Sequence, residues 1–109
     1  MSVTLALAGD TMLGRLVGDR LATAPFASIV DPAVREITAA ADLFVLNLEC
    51  CVSARGAPWR LPGKPFFFRA PPRAAELLGW LGVDCVTLAN NHALDYGPLA
   101  LRDTRVHLA

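Results

Sequence analysis

Residues able to hold a cation or move a proton gather at three places in the chain, each closing an apolar run. Leu88-Ala89-Asn90-Asn91-His92-Ala93-Leu94-Asp95-Tyr96-Gly97 sets two amides, an imidazole and a carboxylate directly after a strand-like stretch. Gly9-Asp10 and Asn47-Leu48-Glu49 close two earlier stretches in the same way. Carboxylate and amide oxygens with an imidazole suit a divalent ion such as Mn²⁺, Mg²⁺, Fe²⁺ or Zn²⁺. A carboxylate can bridge two such ions about 3.5–4 Å apart, an arrangement used for hydrolytic displacement at phosphorus. An imidazole titrates near neutrality and can protonate a leaving oxygen.

Each cluster alone also has an ordinary reading. Gly9-Asp10 can be a turn, Asn90-Asn91 can supply a left-handed turn, and His92 with Asp95 can be a local hydrogen-bonded pair. Glu49 is harder to dismiss, because a buried carboxylate is costly unless paired or metal-bound. The coincidence at three strand ends favours a site.

The elements that must position these groups follow from periodicity. Val3 to Ala8 reads as a buried strand bounded by Gly9. Met12 to Leu21 has helical spacing weakened by Gly14 and Gly18. Asp31-Pro32 is a helix start, with Asp as the cap and Pro at the first helical position, for a helix to about Ala41. Leu43 to Glu49 is a second strand, apolar on both faces at first, with Asn47 and Glu49 sharing one face. Cys50 to Gly63 is irregular, and Pro65 to Arg69 is a short strand-like piece. Arg73 to Leu81 forms a helix stopped by Gly82, Val83 to Ala89 a third buried strand, and Gly97-Pro98 opens a last helix. This order predicts an α/β fold with a mainly parallel sheet flanked by helices. Ligands of such sheets collect beyond the carboxyl ends of the strands, where Asp10, Glu49, Asn91 and His92 all lie.

Composition narrows the function. A chain of 109 residues is one domain at most, and its 54% apolar and 18% charged residues suit a packed core. Net charge is zero and the nine arginines are scattered, so no nucleic-acid footprint is present. The single lysine fits a codon-usage bias. Cys50, Cys51 and Cys85 lack zinc spacing, and adjacent cysteines pair poorly, so they read as reduced and mostly buried. No basic leader or spanning apolar stretch is readable, and the expectation is a cytoplasmic chain. Phe66-Phe67-Phe68 reads as core, Trp59 and Trp80 as packing residues, and Gly9 to Gly14 lacks the Lys-Ser/Thr of a phosphate loop.

At these motifs the chain resembles the CapA family, bacterial poly-γ-glutamate capsule synthesis proteins with a calcineurin-like metallophosphatase fold. The matching stretches are Ala8 to Arg15, Asn47 to Glu49, Phe66 to Pro72, Leu77 to Gly82, Val86 to Gly97 and Leu101 to Thr104. The resemblance implies that Asp10 is a metal ligand, that Glu49 is the acidic ligand bridging two ions, and that Asn91 is the amide ligand. It implies that His92 assists departure of the phosphoryl oxygen and that Asp95 orients the loop. Cofactor and partner expectations follow: a divalent metal and an anionic small-molecule or polymer substrate, with neither nucleic acid nor a membrane span.

Family members are more than twice this length and carry further histidine motifs in their second half. The resemblance therefore implies that residues 1–109 are the amino-terminal half of a metallophosphatase-like α-β-β-α sandwich, without its carboxyl-terminal half. An open, weak metal site and an unpaired sheet edge are the expected consequences. The alternative reading is a catalytically inactive fragment or a partner-dependent α/β binding domain.

Overall fold

The computed structural model describes residues 1–109. Strand β1 (Leu5–Thr11) leads through Gly14 into helix α1 (Arg15–Leu21), a 3₁₀ turn at Phe26–Ser28 and helix α2 (Pro32–Ala39). Strands β2 (Leu43–Leu48), β3 (Cys51–Val52) and β4 (Arg69–Ala70) follow, then helix α3 (Arg73–Leu81), strand β5 (Cys85–Thr87) and helix α4 (Gly97–Leu108). The main sheet has the order β1-β2-β5 and is parallel throughout. A second, two-stranded parallel sheet joins β3 to β4.

Local signals account for several boundaries. Asp31 caps α2 by accepting the Ala33 N–H at 2.9 Å, and Pro32 opens the helix as expected. Gly82 ends α3 in the left-handed conformation, with φ of 76°. Other boundaries move. Helix α1 begins at Arg15 rather than Met12, because Met12 to Gly14 form a connection in which the Gly14 N–H meets Met12 Sδ. The segment from Cys50 is not wholly irregular, since Cys51–Val52 pair with Arg69–Ala70. Phe66 to Phe68 precede β4 rather than forming it, so the expected strand shrinks to Arg69–Ala70 at its far end.

The core lies on one face of the main sheet. Phe44, Leu46 and Leu48 of β2 are buried there against Leu21 of α1 and Ala74, Leu77, Leu78 and Leu81 of α3. Helix α2 docks on α3 rather than on the sheet: Thr38 donates to the Leu81 carbonyl at 3.3 Å and Arg35 to that of Trp80 at 2.8 Å. Helix α4 packs on β3, where Thr104 Oγ1 accepts the Val52 N–H at 2.8 Å. The opposite face of the sheet is open. Leu5 and Leu7 of β1 and Leu43 of β2 are exposed, as are Cys85 and Thr87 of β5. The expectation of buried strands therefore fails for β1 and β5, and Leu43 of β2 is exposed on a face expected to be covered, since α1 and α3 cover one face only. The expected burial of cysteine holds for Cys50 and Cys51 and fails for Cys85.

Among the buried polar groups, Asp103 accepts from Ser53 at 2.6 Å and pairs with Arg55, ties that fix α4 to the segment after β3. These partners hold its carboxyl well below the usual carboxylate range. Burial pushes the Cys50 thiol up to about 11 and the Cys51 thiol up to about 12. No helix is long and apolar enough to cross a membrane.

Candidate functional site

Side chains alternate along a strand, so strict alternation in β1 would place Asp10 with Ala6 and Ala8, facing the helices. It does not lie there. The pairing of β1 with β2 shifts between Ala8 and Asp10: Ala8 pairs with Leu46, and Asp10 with Asn47. The inserted residue is Gly9, and the bulge turns Asp10 onto the open face beside Asn47. Thr87 of β5 pairs with Asn47 from the other side. The ends of all three strands thus carry a polar row on one face.

Asn47 is its centre. Its Nδ2 donates to Asp10 Oδ1 at 2.7 Å, while its Oδ1 accepts from Thr87 Oγ1 at 2.7 Å and from Asn90 Nδ2 at 3.1 Å. These partners fix the orientation of the amide, with donors on one side and a carboxylate on the other. Asn90 also donates to the Leu48 carbonyl at 2.9 Å, and its Oδ1 accepts the His92 N–H at 3.0 Å. The loop after β5 is therefore tied to the end of β2 rather than hanging free.

His92 and Asp95 form the second half of the site. Both are buried, and His92 Nδ1 lies 2.6 Å from Asp95 Oδ2. The same carboxylate oxygen accepts the Phe68 N–H at 2.7 Å. Lys64 Nζ sits 2.6 Å from Asp95 Oδ1 and also contacts the Asn91 carbonyl oxygen. No hydrogen bond reaches Asp95 Oδ1, so the Lys64 charge is what compensates that oxygen. The Phe68 ring stacks on the imidazole with centroids 4.1 Å apart. With Nδ1 engaged, Nε2 is the free ring nitrogen, and Glu49 Oε1 lies 3.7 Å from it.

The structure brings Asp10, Asn47, Asn90, His92 and Asp95 into one continuous chain of hydrogen bonds, with Glu49 beside His92. Asn91 adjoins them in sequence, with an exposed side chain that makes no hydrogen bond. The Glu49 side chain is 24% exposed and receives no hydrogen bond from another side chain or the backbone. The donor set is rich in oxygen, as hard divalent ions require. It falls short of a closed shell, since no three His, Cys, Asp or Glu side chains are grouped closely enough to hold a metal ion.

Asn47 and Asn90 belong to the polar clusters legible in the sequence, but their part as the link between the strands is not readable there, and Lys64 belongs to no such cluster. The only lysine in an arginine-rich chain, set between Gly63 and Pro65, was the available signal for Lys64. Asn47 shares the Glu49 face by alternation, but its partners lie 37 to 43 residues away in sequence.

Compared with known proteins, residues 4–109 match the family described as Bacterial capsule synthesis protein PGA_cap. No curated protein matches the chain.

Proposed function

The chain belongs to the PGA_cap family of bacterial capsule synthesis proteins, and from that premise we propose that its polar rim is a metal-dependent phosphoesterase-like site acting on an anionic small molecule or polymer, in keeping with the CapA, poly-γ-glutamate branch. The observation that carries this reading is the convergence of Asp10, Asn47, Asn90, His92 and Asp95 in one hydrogen-bonded chain, with the Glu49 carboxylate 3.7 Å from His92 Nε2. Asp10, Glu49 and Asn91 would hold the metal. A divalent ion there, Mn²⁺, Mg²⁺, Fe²⁺ or Zn²⁺, supplies Lewis acidity toward a phosphoryl oxygen and lowers the pKa of water.

The chain's own residues do the rest. Asp95 fixes the imidazole through Nδ1, leaving Nε2 to hand a proton to a departing oxygen. Phe68 covers one ring face and excludes water from it. Asn47 holds Asp10 in place from the neighbouring strand.

Calorimetric titration of Mn²⁺ into the wild type and into Glu49→Ala tests the assignment. Binding that weakens about tenfold or more in the variant is expected for loss of a charged ligand. Identical weak binding in both would remove Glu49 from the site.

The missing three-ligand cluster supports a second reading, in which this chain is a catalytically inactive or partner-dependent α/β domain. Metal-dependent turnover of an aryl phosphodiester by the 109-residue chain would refute it.

A further inference from the structure

Next to the rim, a cavity of about 310 Å³ opens between α1 and β4, and its walls include Arg15, Asp19, Ser53 and Arg69. Arg15 makes no hydrogen bond or ion pair, and its guanidinium lies over the rings of Phe66 and Phe68, 5.6 and 5.9 Å from their centroids. Arg69 lies over Tyr96 at 4.2 Å and donates only to the carbonyls of Arg55 and Gly56, each at 3.2 Å. Neither arginine pairs with Asp19, the one carboxylate on the wall. Ser53 Oγ is already committed to Asp103. Two cations thus line one concavity, and neither is paired with a carboxylate.

Stacking on an aromatic ring occupies the face of a guanidinium and leaves its edge free. That edge carries the N–H fork that matches a carboxylate or phosphate. Two arginines against the single Asp19 leave the concave wall with an excess of positive charge, which draws in a counter-charge. The backbone is bent to place these groups. Arg15 adopts φ of 53°, the only non-glycine residue with positive φ. Gly14 packs so tightly on β4 that an added Cβ would lie 2.6 Å from the Arg69 carbonyl oxygen. Backbone outliers of this kind cluster at ligand-binding sites, and the side chain that this one carries is exposed and unpaired.

We propose that this cavity is a subsite for an oxyanion, carboxylate or phosphate, carried by the substrate at a distance from its reacting group. One aromatic ring separates it from the rim: Arg15 lies over Phe68, and Phe68 stacks on His92. An anionic group held there would orient a polyanionic substrate across His92, with binding energy drawn from a part that does not react. The substrate role rests on the phosphoesterase reading, whereas oxyanion binding by the two arginines does not.

Inorganic phosphate and, separately, malonate are titrated into the metal-free chain in the presence of a chelator, following the ¹⁵N signals of the arginine Nε–H groups. At least one anion is expected to saturate and to shift the Arg15 and Arg69 signals, and whichever binds tighter identifies the group. Arg15→Gly removes the guanidinium and relieves the positive φ, so its melting temperature should hold or rise while affinity falls about tenfold or more. Arg15→Gln, which keeps the side-chain stem, should show the same loss. Glu49→Ala should retain anion binding, which separates this result from the metal titration. Absence of saturation by either anion, or unchanged affinity in both Arg15 variants, overturns the proposal.

Discussion

Asp95 is the residue on which the local chemistry turns, because its carboxyl is fully buried, with Lys64 and Phe68 of the segment before β4 and His92 of its own loop as partners. Burying a carboxylate is tolerable only when charge and hydrogen bonds replace the lost water. Lys64 supplies the charge, and its side chain is itself only 16% exposed. Lys64→Met keeps most of the packing but leaves Asp95 Oδ1 without compensation, so it should cost about 2–3 kcal/mol in urea unfolding. Adding Asp95→Asn to that variant should cost less than the sum of the two single changes, because the second removes the charge that the first exposed. Strict additivity would mean that the ion pair is a surface contact of no energetic weight. Residue type and spacing announced His92 and Asp95, which sit three apart in one loop. Lys64 and Asn47 stayed silent because their meaning comes from long-range pairing, and a lone lysine or asparagine carries no spacing of its own.

Elements were more legible than single contacts, and their failures share one cause. The parallel α/β order, the Asp31 cap and the Gly82 stop all follow from local rules that tertiary structure did not override. The bulge at Gly9 was invisible, because it is a relation between β1 and β2 rather than a property of either. Glycines elsewhere divide in the same way, and two of them give opposite expectations. Gly79 lies inside α3 with no atom within 4 Å of an added Cβ, so Gly79→Ala should stabilise by about 0.5–1 kcal/mol through helix propensity alone. Gly14 has an extended backbone open to any residue, yet its added Cβ would strike the Arg69 carbonyl. Gly14→Ala should therefore cost about 1–3 kcal/mol by forcing α1 away from β4. Thermal melts of the two variants should move in opposite directions. A parallel shift would show that the α1–β4 approach is slack, and the geometry that sets Arg15 beside Arg69 would go with it.

At the scale of the molecule, the polar rim crowns a sheet whose two faces differ. Phe44, Leu46 and Leu48 of β2 point into the core, whereas Leu43 of the same strand and Leu5 and Leu7 of β1 point outward. The sequence of β1 reads as a buried strand and the first half of β2 as apolar on both faces, because hydrophobicity reports a wish for burial and not its fulfilment. Leu7 and Leu46 make the asymmetry measurable: one is 74% exposed, the other 3%, and they belong to neighbouring paired strands. Leu46→Ala removes a packed side chain and leaves a cavity, a loss of about 2–4 kcal/mol. Leu7→Ala removes contacts that the chain does not make, so it should stay within about 0.5 kcal/mol of wild type. Urea unfolding of both variants at low protein concentration isolates the single chain. Should Leu7→Ala then lose as much as Leu46→Ala, the outward face is covered even in dilute solution, and the rim beside it is not open to solvent on that side.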